Sequence, residues 1–401
     1  MTADLTANAA RYLRQLCTSH PHRCVGSIGN RAASRLVADH FAACGLALDT
    51  LAFDCFDWHN DGATLRCGSD QFQVQSGPYS LPAQLTAPCA AFATIDALEQ
   101  ADITGTIVLL HGELAGEQLM PKNFPFYNPE EHQRVYRALE GRGALAVLAA
   151  TARIAATAGA VYPFPLIEDG DFSLPTAYMT DREGARLLAC AGRELALTIA
   201  TARQPARGYN VIGRCRPGTS EPRIVVCAHL DTKQNTPGAL DNAAGVTVLM
   251  LLAELLRDYR GPHAIELNAF NGEDYYAAPG QLAYLEACGD FSSVALCVNI
   301  DAAGYHGGGT AYSLYNCPPD ISAAVQAACT APEFAAGELW YQGDHSMFIQ
   351  QGRPAMAITT AELLPVMTRY THTPADTIDL IDPAKLAAIA TAIRALLPAL
   401  A

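Results

Sequence analysis

Short apolar stretches alternate with longer helical stretches from about residue 206 onward, and polar residues directly follow several of the apolar stretches. RIVVCAHLD, HAIELNAFNGED and SSVALCVNID are each typical of a buried strand that ends in acids or histidine. Between the first two, DNAAGVTVLMLLAELLRDY is typical of a buried helix. This alternation predicts an α/β fold with a mixed, largely parallel sheet sandwiched by helices. In such a sheet, polar groups at the carboxyl ends of the strands meet at one edge.

Five residues in these stretches and one in a later loop form a candidate two-metal site. Imidazole and carboxylate groups are zinc ligands, and a carboxylate without a metal can act as a base. Together they suit the splitting of an amide bond by activated water. The residues are His229, Asp241, Glu273, Asp274, Asp301 and His372.

Asp231 is a further candidate because it lies two residues after His229 in the same predicted strand. Residues two apart in a strand point the same way, so the Asp231 carboxylate can accept the ring N–H of His229 and fix its tautomer. A buried His–Asp pair without a metal is an equally good interpretation. The other candidates also have structural alternatives, such as a helix N-cap for Asp241 and a solvated loop for Glu273 and Asp274.

The length of 401 residues exceeds the roughly 250–300 residues of a single core, which predicts two domains. Residues 57–205 differ from the rest, with short β-like pieces such as GTIVLLH and ALAVLAA separated by turns. We therefore expect a catalytic domain from residues 1–56 and 206–401, with a mostly β domain inserted at 57–205.

The net charge of −14 argues against nucleic acid or anionic membrane partners. No apolar run approaches the roughly 18 residues of a membrane span, and the N-terminus lacks the pattern of a signal peptide. The thirteen cysteines lie mostly in apolar contexts without a CxxC pair, as is typical of a reducing compartment. These features predict a cytoplasmic protein, and they leave open whether it is a homo-oligomer.

The motifs AHLDT, GALDNAAG, FNGED, NIDAAG and THTPADT, in this order, resemble those of the two-zinc aminopeptidase family. That family also includes glutamate carboxypeptidase II, the non-enzymatic transferrin receptor and the glutaminyl cyclases. The resemblance covers residues 206–401 and the segment RCVGSIGNRAASRLVADHFAACGL. It implies two zinc ions held by five of the candidates, and Glu273 as the base that takes a proton from the attacking water. The implied ligands are His229, Asp241, Asp274, Asp301 and His372. The inserted block resembles the family's protease-associated domain.

The implied function is an exopeptidase acting on a peptide or small amide, with aminopeptidase activity as the first expectation. A non-catalytic binding protein, a glutaminyl cyclase-like acyltransferase, and a carboxypeptidase or small amide hydrolase are the alternatives. Two positions depart from the family pattern. Asp274 stands where Glu is more frequent, and Thr371 stands where some members have an oxyanion-binding Tyr, with Tyr370 one place away. Asp344 in YQGDHSMF either faces the cleft or has a structural role.

Overall fold

The computed structural model describes residues 2–152, 161–216 and 222–400. The chain divides into two compact units. The larger unit comprises Met1–Cys55 and Ala206–Ala401, and the inserted unit comprises Phe56–Pro205.

The strands of the described residues, in chain order, are β1 (Ala47–Cys67), β2 (Asp70–Phe72), β3 (Gln75–Ser76), β4 (Ala83–Phe92), β5 (Ile107–Leu110), β6 (Ala146–Thr151), β7 (Thr176–Thr180), β8 (Glu194–Cys215), β9 (Arg223–His229), β10 (Ala264–Phe270), β11 (Val294–Ile300), β12 (Thr310–Tyr315), β13 (Phe334–Ala336) and β14 (Ala355–Thr360).

The α-helices of the described residues are α1 (Thr2–Arg14), α2 (Ile28–Ala43), α3 (Ile95–Gln100), α4 (Glu130–Leu139), α5 (Asp181–Leu187), α6 (Ala244–Leu255), α7 (Pro279–Cys288), α8 (Pro319–Ala328), α9 (His345–Gln350), α10 (Leu363–Arg369) and α11 (Pro383–Leu396). No described helix is long and apolar enough to cross a membrane.

The sheet of the larger unit has a parallel centre. Its strands follow the order β13-β12-β14-β11-β9-β10-β8. The pairs β14/β11, β11/β9 and β9/β10 are parallel, whereas β12/β14 and β10/β8 are antiparallel. The predicted α/β class with a mixed, largely parallel sheet is therefore confirmed. Because β11, β9 and β10 are parallel neighbours, His229, Phe270 and Ile300 end three strands at one edge.

Helix α6 lies at the centre of the core of the larger unit. Every residue from Ala244 to Ala253 is buried, and the helix packs with β9, β10 and β11 and with α1, α2 and α11. Apolar side chains on all sides of the helix explain this position, since a helix that is hydrophobic all round must be buried. Its burial fixes the turn before it, Ala239–Ala243, close to the carboxyl edge of the sheet.

The inserted unit also has parallel strands, since β4/β5, β5/β6 and β6/β7 are parallel pairs, whereas β4/β8 and β3/β7 are antiparallel. Two apolar clusters form its core. One contains residues of β5, β6 and α4, and the other contains residues of β4, β7 and β8.

Candidate metal centre

The six candidates converge from five segments of the larger unit. His229 is the last residue of β9, and Asp301 follows β11 directly. Asp241 lies in the turn before α6, and His372 lies in the loop after α10. Glu273 and Asp274 lie in the loop after β10. The order of the strands explains the convergence, because β9 has β11 on one side and β10 on the other.

Asp241 stands between the two histidines. Its Oδ1 lies 3.0 Å from His229 Nε2, and its Oδ2 lies 3.0 Å from His372 Nε2. Each carboxylate oxygen therefore faces a different imidazole. This is the arrangement expected of a carboxylate that bridges two cations about 3.5–4 Å apart.

Each histidine has a second carboxylate beside it. Asp301 Oδ1 lies 3.6 Å from His229 Nε2, and Asp274 Oδ1 lies 3.1 Å from His372 Nε2. We call His229, Asp301 and Asp241 Oδ1 the His229 half of the site. His372, Asp274 and Asp241 Oδ2 form the His372 half. Asp274 reaches its histidine in spite of its shorter side chain.

The nitrogen and oxygen atoms of the two halves are spaced as zinc ligands, and two of them lack a hydrogen-bond partner in the described part of the chain. His229 Nε2 and Asp274 Oδ2 are buried without a hydrogen-bond partner among the described residues, although Asp241 Oδ1 lies close to Nε2. Ligands on a tetrahedral zinc, at its usual bond lengths, stand about 3.4 Å apart. The separations of 3.0–3.6 Å between nitrogen and oxygen in the two halves bracket that value.

The ionisable groups perturb one another strongly. Burial lowers the pKa of His229, but the carboxylates of Asp241 and Asp301 outweigh burial and raise it well above its ordinary value. The pKa of His372 is raised in the same way against burial, by Asp274 and Asp241. Burial alone would raise the pKa of Asp241, yet the two histidines hold it far below its ordinary value.

Glu273 differs from the carboxylates of the two halves. Its Oε2 is 4.0 Å from His229 Nε2, and its side chain is 24% exposed, compared with 3% for Asp274. Burial raises the pKa of Glu273 well above its ordinary value, and the charges of Asp274 and Asp301 add to that effect. A partly accessible carboxyl group that favours its proton beside a cluster of metal-type ligands is suited to proton transfer.

The predicted hydrogen bond between the ring of His229 and the Asp231 carboxylate is wrong, although the two groups lie near each other. Asp231 Oδ1 lies 3.8 Å from His229 Nδ1, which is too far for a hydrogen bond, whereas the backbone carbonyl of Asp231 lies 3.2 Å from Nδ1 and can accept its proton. The carboxylate accepts instead from the backbone N–H groups of Gly272 at 2.9 Å and Asp274 at 3.0 Å. Asp231 thus still fixes the tautomer of His229 through its backbone, and its side chain holds the loop of Glu273 and Asp274.

Arg23 and Asp376 support the site and were not predicted. Arg23 is fully buried and donates to the carbonyls of Leu230, Pro237 and Gly238, which flank the loop between β9 and Asp241. Asp376 accepts from the N–H groups of Leu240 and Asp241 at 2.7 and 3.1 Å. Both residues lie in stretches that resemble the family, but nothing local indicates their distant partners.

Buried asparagines hold the start of the loop after β10. Asn210 Oδ1 accepts from the N–H of Asn271 at 2.9 Å, and Asn30 Nδ2 donates to Asn271 Oδ1 at 2.6 Å. These amides fix the backbone just before Glu273. The three amides lie in different elements, Asn30 in α2, Asn210 in β8 and Asn271 just after β10, and no local sequence signal links them.

Asp344 is buried and accepts from Gln281 Nε2 at 2.8 Å, and its Oδ2 has no hydrogen-bond partner among the described residues. Burial raises the pKa of Asp344 to about 7. Its burial favours the structural alternative. Tyr370 packs beside Tyr305, with ring centroids 6.0 Å apart.

A buried cluster of histidines and carboxylates at the carboxyl edge of a largely parallel sheet defines an α/β protein with a candidate two-metal centre. Residues 210–397 match the model of peptidase family M28.

The chain is also similar to named proteins. It is 28% identical over 188 residues to a "probable leucine aminopeptidase" of Arthroderma otae, a match that covers 42% of this chain and 52% of that protein. An aminopeptidase of Aneurinibacillus sp. strain AM-1 shares the fold at 20% identity, with a TM-score of 0.74 over 98% of this chain and 92% of the other. A zinc aminopeptidase of Bacillus subtilis, BSAP, does so at 19% identity, with a TM-score of 0.73 over 98% and 94%. The chain thus spans about half the length of its curated relative and nearly all of the two solved structures.

Proposed function

We propose that this chain is a two-zinc aminopeptidase that hydrolyses peptide bonds. The observation that carries the proposal is the placement of the two Asp241 oxygens, each 3.0 Å from the Nε2 of a different histidine. His229 and Asp301 would hold one zinc ion, and His372 and Asp274 the other, with Asp241 shared. The family match, and the description of the Bacillus subtilis structure as a zinc aminopeptidase, support the choice of metal.

Zinc at this centre would polarise the scissile carbonyl and acidify water. Glu273 takes a proton from the water that attacks the carbonyl carbon. It then delivers that proton to the amide nitrogen, which leaves as an amine instead of a far more basic anion. The raised pKa of Glu273 suits a group that must hold the proton between these steps. Asp231 keeps Glu273 in place through the N–H groups on either side of it, those of Gly272 and Asp274.

The direction of cleavage is the second part of the proposal. A free α-amino group could be held by one zinc ion together with the negative charge that the carboxylates concentrate at the centre. The name of the curated relative supports the same choice.

A zinc titration combined with a substrate screen tests the proposal. We expect about two zinc ions per chain and turnover of peptides and aminoacyl-anilides with a free N-terminus, but not of N-blocked analogues. Asp241→Ala should lose both metal and turnover, because it removes a ligand from both halves. Zinc binding without turnover of any amide would favour a binding protein. One zinc with cyclisation of N-terminal glutamine would favour an acyltransferase, and cleavage of N-blocked peptides a carboxypeptidase.

We further propose that the inserted unit is a protease-associated-like domain and that the protein works in the cytoplasm. The parallel strands and flanking helices of the insert support the first proposal. The thirteen free and mostly buried thiols support the second. Fractionation of the native cell with an antibody against the chain tests the location.

A further inference from the structure

A glutamine in the first turn of α7 lies against the loop that carries Glu273. Gln281 is 2% exposed, and a β-carbon on Gly272 would stand 3.1 Å from Gln281 Oε1. The amide group therefore fills the space beside the residue that directly precedes Glu273. We propose that Gln281, held by Asp344, is a positioning residue that keeps Glu273 in the place needed for catalysis. This inference rests on the proposed peptidase function, in which Glu273 is the base.

The backbone before Glu273 packs closely against the start of α7. Gly272 has a φ of +118°, which residues with a β-carbon rarely adopt. A β-carbon there would also stand 3.1 Å from the backbone nitrogen of Gly280 and 3.2 Å from Pro279 Cδ. Because Gly272 has no side chain of its own to fix it, its position depends on the groups around it.

Asn210 fixes the start of α7 relative to this loop. Its Nδ2 donates to the carbonyl of Gly280 at 2.7 Å, and its Oδ1 accepts from the N–H of Asn271 at 2.9 Å. One buried amide group thus joins the residue before Gln281 to the residue before Gly272. The two backbones are held together, and the orientation of the Gln281 side chain then determines what Gly272 contacts.

Asp344 sets that orientation. Its Oδ1 accepts from Gln281 Nε2 at 2.8 Å, which leaves Gln281 Oε1 to face Gly272. Asp344 stands at the N-cap position of α9, where aspartate commonly accepts from a backbone N–H, yet it caps no N–H group of the described chain. The carboxylate is only 2% exposed, and burying it is unfavourable. A carboxylate buried without its ordinary capping role indicates that the contact with Gln281 serves another purpose.

The loop before Glu273 therefore lies between two restraints. On one side, the Asp231 carboxylate accepts from the N–H groups of Gly272 and Asp274 at 2.9 and 3.0 Å. On the other side, Gln281 Oε1, which has no hydrogen-bond partner among the described residues, limits by its bulk how far Gly272 can move towards α7. A displacement of about 1 Å in a positioned group can slow a reaction about 100-fold. The contact thus preserves the geometry of the base.

Steady-state kinetics of four variants test the inference. Gln281→Leu should lower kcat by about 10- to 100-fold with little change in KM or zinc content, because the base is displaced while the rest of the site is kept. Asp344→Ala should lower kcat by a similar factor. The double variant should be no slower than the slower single variant, because the carboxylate acts through Gln281. The matched control is Tyr284→Phe, which removes the hydrogen bond from α7 to Glu266 at 2.6 Å. It should lower the thermal midpoint and leave kcat unchanged.

Hydrogen exchange separates this inference from the proposed function. The N–H groups of Gly272 and Asp274 should exchange faster in zinc-loaded Gln281→Leu than in the wild type, and at the wild-type rate in Tyr284→Phe. Mass spectrometry of the peptides that contain residues 271–278 measures this.

Four results would overturn the inference: unchanged kcat in Gln281→Leu, loss of zinc in that variant, an equal loss of kcat in Tyr284→Phe, or additive losses in the double variant. If the wild type cleaves no peptide, the proposed function fails and the exchange rates alone decide. Faster exchange in Gln281→Leu only would then support a positioning role for Gln281, and equal exchange in wild type and variant would exclude it.

Discussion

The two units each have parallel strands, and the carboxyl ends of those strands differ sharply in their chemistry. In the larger unit, β9 ends at His229, whose Nε2 has no hydrogen-bond partner among the described residues. In the inserted unit, β6 ends at Thr151, whose hydroxyl donates to the carbonyl of Phe164 at 2.8 Å. Similarly, β7 ends at Thr180, whose hydroxyl accepts from the N–H of Glu183 and caps α5.

The carboxyl edge of a parallel sheet brings side chains together, but this alone does not make a functional site. A functional site also needs polar side chains there whose hydrogen-bonding atoms are not used by the fold itself. The threonines of the inserted unit use their polar atoms to complete the fold. The larger unit instead gathers several buried carboxylates at one place, which is unfavourable for folding unless cations compensate. Arg23 and Asp376 hold the loops that keep those groups together.

The largest effect is expected at the edge of the larger unit. Glu273→Gln should lower kcat by about 10²- to 10⁴-fold while zinc content stays the same, because the amide cannot carry the proton. Steady-state kinetics and metal analysis check this. The control is Glu130→Gln, in an exposed side chain of the inserted unit, which should leave kcat unchanged. Near-normal turnover in Glu273→Gln would remove Glu273 from the role of base.

A smaller effect is expected on the pH dependence of the free energy of unfolding, because an ionisable group is buried close to the site. His345 is fully buried, and burial lowers its pKa to about 4. Because its unfolded pKa is about 6.5, the unfolded chain binds more protons between these values, and stability falls as the pH drops through that window. This residue should contribute about 2 kcal/mol of lost stability between pH 7.5 and pH 5.

Urea unfolding of the metal-free protein at the two pH values measures that effect. The decrease in the free energy of unfolding should be smaller by this amount in His345→Gln than in the wild type. An equal decrease in both proteins would mean that His345 does not titrate in this range.

The smallest effect is expected at the edge of the inserted unit. Thr180→Ala should reduce the free energy of unfolding by about 1 kcal/mol, since it removes the N-cap of α5, and it should leave kcat/KM unchanged. Thr180→Ser keeps the capping hydroxyl and should restore stability. A fall in kcat/KM in Thr180→Ala would break the contrast between the two edges.

Local sequence patterns predicted the elements that carry the site. The apolar runs before His229 and Asp301 form β9 and β11, and the apolar stretch after Asp241 forms α6. These predictions succeed because a strand buried on both faces and a helix buried all round need apolar residues throughout, which is visible in a short window. The polar residues at strand ends then follow from the geometry of parallel sheets.

Contacts between distant segments escaped prediction. The partners of Arg23 beside the site, Leu230 and Gly238, lie more than 200 residues away, and those of Asp376 lie over 130 residues away. Asp231 illustrates the same limit at short range. Its spacing from His229 is right, but its carboxylate turns to the N–H groups of Gly272 and Asp274, whose approach depends on the neighbouring strand.

By itself, the sequence determined the α/β class and the set of residues able to hold metal. The class follows from the local spacing of apolar residues, and the set follows from side-chain type. Only the tertiary structure decided that the two oxygens of Asp241 face different histidines, that Asp274 reaches His372 and that Lys233 lies beside it. The reason is physical. Distances of 3–4 Å between side chains are set by the packing of strands and helices far apart in the chain, and no local pattern contains them.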